Sequence, residues 1–428
     1  MPLISHKRLR LKADPSRVVI RPFHIAPEPR DMNAPESGRM RRIVDAVSAM
    51  DMRTVQAELS LVNTDFEPRH WQTRRVYLQR YEHIMAHLDA KYELREIQKE
   101  LIGAYFCHEY SYAAAALMNP SVAPHHDQTG VPEGKLRILM SLRAVGEGHI
   151  SSIAFREGIL TRDGSVSLMP EPPFAVALEQ ISPTPGENSG DVLARRPESV
   201  SLSGSVIFPF TRAQRNGLED LRLVRFEEED GAVSYYGTYT AYSGAAIASE
   251  LLCTRDFHEF EFRRMSGGAS VNKGMALFPR RIDGRYAMIG RQDGESLYFL
   301  DSESLTHWEG GEKILAPRFA WELVQIGNCG PPIELDEGWL LLTHGVGAMR
   351  QYSIGAALLD KTNPRKVLGQ LSTPLLSPSD ENREGYVPNV VYTCGGLKHG
   401  DMLFLPYGVA DSSIAFCTVD LPSLLKAM

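Results

Sequence analysis

The chain has 428 residues, enough for two domains, and its 43% hydrophobic and 23% charged residues are ordinary for a globular protein. A formal net charge of -7 argues against nucleic acid or an anionic membrane surface as the main partner. No run of about 18 apolar residues occurs, which excludes a membrane-spanning helix.

The lack of an expected secretory signal and the arrangement of the cysteines favour a cytoplasmic protein. The first residues, MPLISHKRLRLKAD, are basic, but no apolar segment follows them, so a secretory signal is not expected. The cysteines are odd in number and never in CxxC spacing, which favours reduced, mostly buried thiols. They are Cys107, Cys253, Cys329, Cys394 and Cys417.

The first part of the chain is mostly helical in pattern. A short strand is predicted over residues 17–23, and the loop HIAPEPRDMNAPESG follows it. From residue 39 to about 117, apolar residues recur at helix spacing in RMRRIVDAVSAM, VYLQRYEHIMAHL and ELREIQKELIGAYF. Asp51 and Asp65 are predicted to be caps or loop residues between helices. We expect these helices to pack on one another or on a partner subunit.

After Ala116 the pattern changes to short strands separated by Gly, Pro, Asn and Asp. A unit long enough for a four-stranded sheet recurs about five times. The sequence therefore predicts a mainly β protein, a five-bladed β-propeller over 117–428 with an N-terminal strand and helical extension over 1–116. A two-sheet sandwich is the main alternative, but it would not explain why the copies resemble one another.

A propeller brings matching positions of its copies together, because the innermost strand of each blade lines the central channel. The resulting ring holds a carboxylate, several cations and aromatic faces, which suits a pocket for a sugar and an anion. For Asp220, a salt bridge to Arg222 is the simpler structural role. Strand starts supply Asn119, Asp220, Lys273 and Asn389, and second strands end in Arg143, Tyr239, Arg291, His344 and Tyr407.

The motifs of this part resemble glycoside hydrolase family 130, whose members are five-bladed propellers that act on β-mannosides. The similar stretches cover roughly residues 117–428, and their number and order make the resemblance specific. They are NPSVAP, LRAVGEGHISS, LEDLRL, ALFPRRIDGRY, AWELVQIG, GPPIELDEGWLLLTHGV, YSIGAALLD, EGYVPNVVYTCGG and LPYGVAD.

The resemblance implies an enzyme that inverts the anomeric centre. Most members are phosphorylases that convert a non-reducing-end β-mannoside and inorganic phosphate to α-mannose 1-phosphate, and a minority hydrolyse β-1,2-mannosides. The general acid of the family falls on Asp220 and is thought to protonate the leaving oxygen through the mannose 3-hydroxyl. Such an acid needs a raised pKa, which apolar walls and the adjacent Glu219 are expected to supply. Leu221 stands where the family usually has Pro.

The resemblance also implies where phosphate and sugar bind. Phosphate must lie on the sugar face opposite the acid and needs several cationic donors. A hydrolase would instead need a base for water, for which Glu322 and Glu384 are the candidates; a sugar contact is their commoner role. The predicted phosphate ligands are Arg143, Lys273, Arg291 and His344. The predicted substrate-binding residues are Asn119, His149, Glu219, Arg222, Tyr239, Glu322, Glu384, Tyr407 and Asp411.

Three functions follow from this pattern: an inverting β-mannoside phosphorylase first, an inverting β-mannosidase second, and a non-catalytic mannoside-binding propeller third. We expect no metal, since the cluster His125-His126-Asp127 has no further ligands at useful spacing. No nucleotide motif appears, so inorganic phosphate is the one expected co-substrate. The expected partners are a β-mannoside oligosaccharide and phosphate. The helical extension is predicted to serve in homo-oligomers or as a lid.

Overall fold

The structure is a computed structural model that describes residues 3–23, 38–88, 91–181, 191–379 and 383–428. The chain divides into a β unit and a helical unit, and most of the protein is β. The β unit comprises Met1–Pro15, Tyr112–Glu171 and Leu178–Met428, and the helical unit comprises Ser16–Ser111 and Pro172–Ala177.

The helices are α1 Gly38–Ala49, α2 Met52–Phe66, α3 Thr73–Leu88, α4 Glu96–Tyr105 and α5 Leu421–Lys426. The strands of the first half are β1 Ile4–Lys12, β2 Val18–Pro22, β3 Cys107–Ser111, β4 Ala116–Pro124, β5 Lys135–Val145, β6 Ser151–Thr161, β7 Val166–Leu168, β8 Val176–Ala177, β9 Glu179–Gln180, β10 Val192–Arg195 and β11 Ser205–Ile207. Those of the second half are β12 Gly217–Glu227, β13 Val233–Tyr242, β14 Ile247–Thr254, β15 Glu259–Arg264, β16 Ala276–Leu277, β17 Tyr286–Gly290, β18 Leu297–Ser302, β19 Glu312–Leu315, β20 Gln325–Asn328, β21 Ile333–Glu334, β22 Trp339–Val346, β23 Tyr352–Leu359, β24 Val367–Gln370, β25 Val391–Tyr392, β26 Leu397–His399, β27 Met402–Val409 and β28 Ser413–Asp420.

The helical unit packs the apolar faces that the sequence predicts. Val44, Val47 and Leu101 are buried in one core, and Gly103 allows α4 to approach α3, because a Cβ there would lie 1.8 Å from the backbone oxygen of Tyr77. The predicted strand is present as β2, which pairs antiparallel with β3. No helix in the described ranges is long and apolar enough to span a membrane.

One of the two predicted caps is confirmed. The Asp51 carboxylate accepts hydrogen bonds from the backbone N–H groups of Arg53 and Thr54, which caps α2. The prediction for Asp65 is wrong, because this residue lies inside the last turn of α2. The predicted loop over 24–38 lies outside the described residues except for its last residue, which begins α1.

The β unit contains five groups of four antiparallel strands. The first is β4-β5-β6-β7, the second β12-β13-β14-β15, the third β16-β17-β18-β19 and the fourth β20-β22-β23-β24. The fifth is β25-β27-β28-β1, so its outer strand comes from the start of the chain. The pairing of β1 with β28 differs from the predicted domain boundary at residue 116, because that boundary placed the first residues of the chain with the helices.

The first strand of each group contacts a strand of a neighbouring group. β4 contacts both β12 and β27, β13 contacts β16, β18 contacts β20, and β23 contacts β25. Backbone and side-chain bonds reinforce these contacts: the Ser121 hydroxyl accepts from the Leu223 N–H at 3.1 Å, and the Cys394 N–H donates to the Pro120 oxygen at 2.8 Å. The polar positions of different groups are thereby brought close together.

Candidate functional site

Asp220 lies where the first strand of the second group is bulged. The register of β12 against β13 shifts around Asp220, whose φ is 57°. The register of β4 against β5 shifts in the same way around Asn119, whose φ is 48°. Bulges re-aim side chains, and Asp and Asn tolerate left-handed backbone better than most residues. The two side chains consequently meet, and Asn119 Nδ2 donates to Asp220 Oδ1 at 2.7 Å.

Arg143, at the end of β5, joins Asp220 to its neighbour Glu219. One Nη donates to Asp220 Oδ1 at 3.3 Å and the other to Glu219 Oε1 at 2.6 Å. Arg143 Nε donates to the Ser151 hydroxyl at 2.9 Å. We call Asn119, Arg143, Glu219 and Asp220 the acid cluster. Without ligands, the guanidinium of Arg143 is engaged by the two carboxylates, and its predicted role as a phosphate ligand stays a prediction.

The charge state of Asp220 differs from the expectation. Burial alone would raise the pKa of this carboxyl, but the cations Arg143, Arg222 and Lys273, with the Asn119 hydrogen bond, outweigh burial and lower the pKa to about 2. The predicted raised pKa is therefore wrong for the protein without ligands. Burial does raise the pKa of Glu219, against the opposing effect of Arg143.

Asp411 lies near the acid cluster, in the turn between β27 and β28, with a φ of 48°. Burial and the negative charge of Asp220 raise the pKa of its carboxyl to about 6, against the opposing effects of Arg143 and Arg350. At mildly acidic pH, the Asp411 carboxyl is therefore protonated in part of the molecules.

Three buried basic side chains form a second cluster beside the first. Arg222, Arg291 and His344 expose 3%, 7% and 4% of their surface, and we call them the cation cluster. Arg222 donates to the backbone oxygen of Asp220 at 3.1 Å and to the Tyr392 hydroxyl at 2.7 Å. The expected salt bridge to the Asp220 carboxylate is not formed; the contact is with the backbone. Arg222 therefore links the two clusters.

His344 is neutral and its tautomer is fixed by its partners. Nδ1 lies 3.2 Å from the Asn328 carbonyl oxygen and must donate to it, while Nε2 lies 3.3 Å from an Nη of Arg291 and must accept. Burial and the charges of Arg291 and Arg222 hold its pKa well below the ordinary value. Gly327 makes room for the pair, because a Cβ there would lie 2.3 Å from the imidazole.

The two arginines of the cation cluster lack acidic partners. Within the described ranges, no carboxylate lies within 4.0 Å of Arg222 or Arg291, and neither Nε has a hydrogen-bond partner. Burial and the nearby charge of Arg222 lower the pKa of Arg291. The Asp220 carboxylate acts on Arg222 from beyond 4.0 Å, and burying a charge without a counter-charge in contact costs several kcal/mol. Such a cluster has the chemistry of a site for an anion with several oxygen acceptors.

The comparisons with known proteins agree with these motifs. A family model described as beta-1,4-mannooligosaccharide phosphorylase matches residues 198–428, more than half of the chain. The chain belongs to glycoside hydrolase family 130. The membership predicted from the sequence is confirmed.

Curated relatives of this family 130 protein are named as phosphorylases. The Beta-1,2-mannobiose phosphorylase of Listeria innocua serovar 6a is 33% identical over 229 residues, which are 52% of this chain and 63% of that protein. The chain thus matches less than two thirds of that relative. The 1,2-beta-oligomannan phosphorylase of a Thermoanaerobacter species is 32% identical over 230 residues, which are 53% of this chain and 75% of that protein.

A solved structure extends the likeness to the fold. The Beta-1,2-mannobiose phosphorylase from Listeria innocua, in complex with beta-1,2-mannobiose, matches 73% of this chain and 92% of its own chain, with a TM-score of 0.53 and 22% identity. At this identity the match shows a shared fold and no more.

Two tyrosines of this family 130 protein do not join the site. The Tyr239 hydroxyl donates to Glu250 Oε2 at 2.6 Å inside a fully buried core. The Tyr407 hydroxyl lies 3.2 Å from Nδ1 of His6, a residue of β1. The predicted sugar contacts are therefore wrong, because both hydroxyls are used in the packing of their own sheets.

The two candidate bases form no hydrogen bond or ion pair with either cluster among the described residues. Glu322 is fully buried, and its carboxylate accepts from the backbone N–H groups of Arg318 and Phe319 and from Gln370. This geometry is that of a loop cap. Glu384 is exposed in the segment 383–389. Roles in sugar binding stay predictions for both.

Lys273 and His149 lie around the clusters. Lys273 is close enough to lower the pKa of Asp220. Its backbone N–H donates to the side-chain oxygen of Asn272 at 2.8 Å. His149 is exposed, and its Nδ1 lies 3.0 Å from the Tyr386 hydroxyl. Their ligand roles stay predictions. His125, of the histidine pair, contacts Glu157 at 3.3 Å.

Sequence reasoning missed three residues of the site. They are Ser151, which orients Arg143, Tyr392, which holds Arg222, and Arg350, which acts on Asp411. Tyr392 follows the strand start Asn389 within a motif that already carried the resemblance. A register argument could have found it, whereas Ser151 and Arg350 required the turn geometry.

Proposed function

We propose that the chain is an inverting β-mannoside phosphorylase, which cleaves a non-reducing-end β-mannosyl unit with inorganic phosphate to give α-mannose 1-phosphate. The observation that carries this proposal is the cation cluster: two buried arginines without a carboxylate partner among the described residues, directly beside Asp220. A phosphate dianion supplies the missing negative charge and the acceptor oxygens. No other cofactor is required by this reaction.

A closed ring of five blades would place the two clusters around one axis. The order of contacts supports this arrangement, because each of the five strand groups contacts the next and the fifth, through β27, contacts the first. A cavity of about 820 Å³ at the other end of the first strands is lined by residues from all five groups. Its lining includes Pro124, Arg225, Arg280, Glu334 and Lys398.

In the proposed reaction, a phosphate oxygen forms the new bond to carbon 1 of mannose as the bond to the leaving oxygen breaks. Asp220 supplies the proton that the leaving oxygen takes up, through the mannose 3-hydroxyl as the family resemblance implies. The cation cluster holds the phosphate, and Arg143 with Asn119 orients the acid. Phosphate and acid then act from opposite flanks of the sugar.

The low pKa of Asp220 fits this scheme once phosphate is bound. Arg143, Arg222 and Lys273 are the charges that hold the pKa at about 2. A dianion next to Arg222 reduces the net positive charge around Asp220, so binding of phosphate must raise the pKa of the acid. Bound phosphate, the nucleophile, thereby favours the protonated form of Asp220, which the reaction requires.

The hydrolytic alternative has less support. An inverting hydrolase needs a carboxylate that can activate water about 6.5–9.5 Å from the acid. Of the two candidates, Glu322 is committed to a loop cap. Glu384 is exposed and forms no hydrogen bond or ion pair with either cluster among the described residues. The phosphorylase is therefore the function that the described geometry favours.

The test is product analysis with and without phosphate. The protein is incubated with β-1,2-mannobiose, β-1,4-mannobiose, mannosyl-glucose and mannosyl-N-acetylglucosamine. We expect phosphate-dependent release of α-mannose 1-phosphate. β-1,2-Mannobiose is tried first, because the name of the Listeria innocua relative gives it as the substrate. Free mannose formed without phosphate would support the hydrolase, and no turnover with any mannoside would favour the non-catalytic binding protein.

A further inference from the structure

Three hairpin turns of the β unit share an unusual backbone. They connect the second and third strands of the first, fourth and fifth groups, and each contains two successive residues with positive φ. The φ values are 68° and 59° for Gly148 and His149, 55° and 55° for Met349 and Arg350, and 49° and 48° for Ala410 and Asp411.

The first and fourth turns share the hydrogen bond that closes them. The Gly146 N–H donates to the Ile150 oxygen at 3.2 Å, and the Gly347 N–H donates to the Gln351 oxygen at 3.0 Å. Arg350 therefore stands at the position of His149. The fourth turn holds this geometry without glycine, at a cost on the order of 1–3 kcal/mol for each left-handed residue.

The surroundings of Arg350 place its charge at the mouth of the site. The residue is exposed, and its guanidinium lies 5.9 Å from the centre of the Tyr352 ring. Tyr352 in turn stacks on His344 of the cation cluster. On the other side, the positive charge of Arg350 lowers the pKa of Asp411 against the effect of burial. Within the described ranges, no carboxylate lies within 4.0 Å of Arg350 to occupy it.

We infer that Arg350 is a specificity-determining residue that binds oxygen atoms of the leaving sugar. The inference rests on the proposed function, in which the innermost sugar is the non-reducing-end mannose and the rest of the substrate extends outward through the mouth. The leaving oxygen faces the acid, and Arg350 stands at the mouth beside Asp411. A guanidinium there offers fixed N–H donors to hydroxyl and ring oxygens.

The reverse reaction isolates this contact, because the leaving sugar of the forward direction is then the acceptor. Arg350→Ala and Arg350→Lys are assayed with α-mannose 1-phosphate and mannose as acceptor, each substrate being varied in turn. We expect Arg350→Ala to raise KM for the acceptor about tenfold, the value of one charged hydrogen bond. KM for α-mannose 1-phosphate and kcat should change less than about twofold.

The control is Arg195→Ala, which removes an exposed arginine of a surface ion pair on β10 and should leave both KM values unchanged. Arg350→Lys keeps the charge without the fork and should fall between Ala and the native protein. An unchanged acceptor KM in Arg350→Ala would overturn the inference. A rise confined to KM for α-mannose 1-phosphate would also overturn it, and would assign Arg350 to the phosphate.

Failure of the inference is distinguishable from failure of the proposed function. A protein that releases mannose from mannobiose without phosphate would contradict the phosphorylase. The same variants then decide the inference through KM for mannobiose against kcat. A selective rise in KM supports the leaving-sugar contact, and unchanged values contradict it.

Discussion

Two arginines of the same site differ in whether they contact carboxylates. Arg143 binds two carboxylates, Glu219 and Asp220, at 2.6 and 3.3 Å. Arg291, which is more deeply buried than Arg143, contacts a neutral imidazole and has no carboxylate partner among the described residues. A buried cation that already has its counter-charges positions other groups, whereas one without them requires an anion to be neutralised. Within the proposed function, this difference favours a role beside the acid for Arg143 and a role at phosphate for Arg291.

The largest effect is expected at Asp220, the proposed general acid. Asp220→Asn removes the proton donor while keeping the size of the side chain, so kcat should fall by about 10³-fold or more. Thermal unfolding should show that the variant is folded. Asp336→Asn, at a fully exposed side chain, is the matched control. Turnover close to that of the native protein would remove Asp220 from the mechanism.

The arginine comparison itself is tested through KM for phosphate. Arg291→Met removes a buried charge-assisted contact worth about 2–5 kcal/mol, so KM for phosphate should rise by about 100-fold. Arg143→Met should lower kcat instead and change KM for phosphate by less than about threefold. Steady-state kinetics with phosphate varied at saturating mannoside measure both. Equal increases in the two variants would contradict the division into two clusters.

Asp411 offers a test through stability and pH. Its pKa is raised to about 6, so the stability that its protonated form supports is complete below the unfolded pKa of about 3.9 and is lost as pH rises through 6. Asp411→Asn cannot ionise and should be about 1–2 kcal/mol more stable than the native protein at pH 8, with a smaller difference at pH 5. Urea unfolding at both pH values measures this, and a variant less stable at pH 8 would contradict the raised pKa.

The smallest predicted effect is proton uptake on binding of an anion. A dianion in the cation cluster should raise the pKa of Asp411 and Asp220, so uptake on the order of half a proton is expected near pH 6.5. Sulfate is the suitable probe because it does not titrate there. Calorimetry in two buffers of different ionisation enthalpy gives the number of protons. A release of protons, or none exchanged when sulfate binds, would break the proposed coupling.

The repeats in the sequence predicted much of the β unit. Five copies correspond to the five strand groups, and matching strand starts bring Asn119 to Asp220. The position of β1 beside β28 was beyond reach, because pairing between the two ends of a chain leaves no local pattern. The sign of the pKa shift of Asp220 was also beyond reach, since it depends on how many cations outweigh burial.

Errors arose for residues whose role depends on which face of a strand carries the side chain. Side chains alternate between faces, so a register error of one residue moves a side chain from the channel into the core. Tyr239 and Tyr407 illustrate this, since both hydroxyls bond to residues of their own sheets. Arg350 escaped notice for another reason: its place depends on a left-handed turn at Met349, which no glycine announces.

The central claim is that phosphate binds at the cation cluster, and calorimetric titration of phosphate into the protein without mannoside tests it most directly. The native protein and Arg195→Ala should bind one phosphate with the same affinity, while Arg291→Met should bind it about 100-fold more weakly. Equal affinity in Arg291→Met, or no binding by the native protein, would contradict the account.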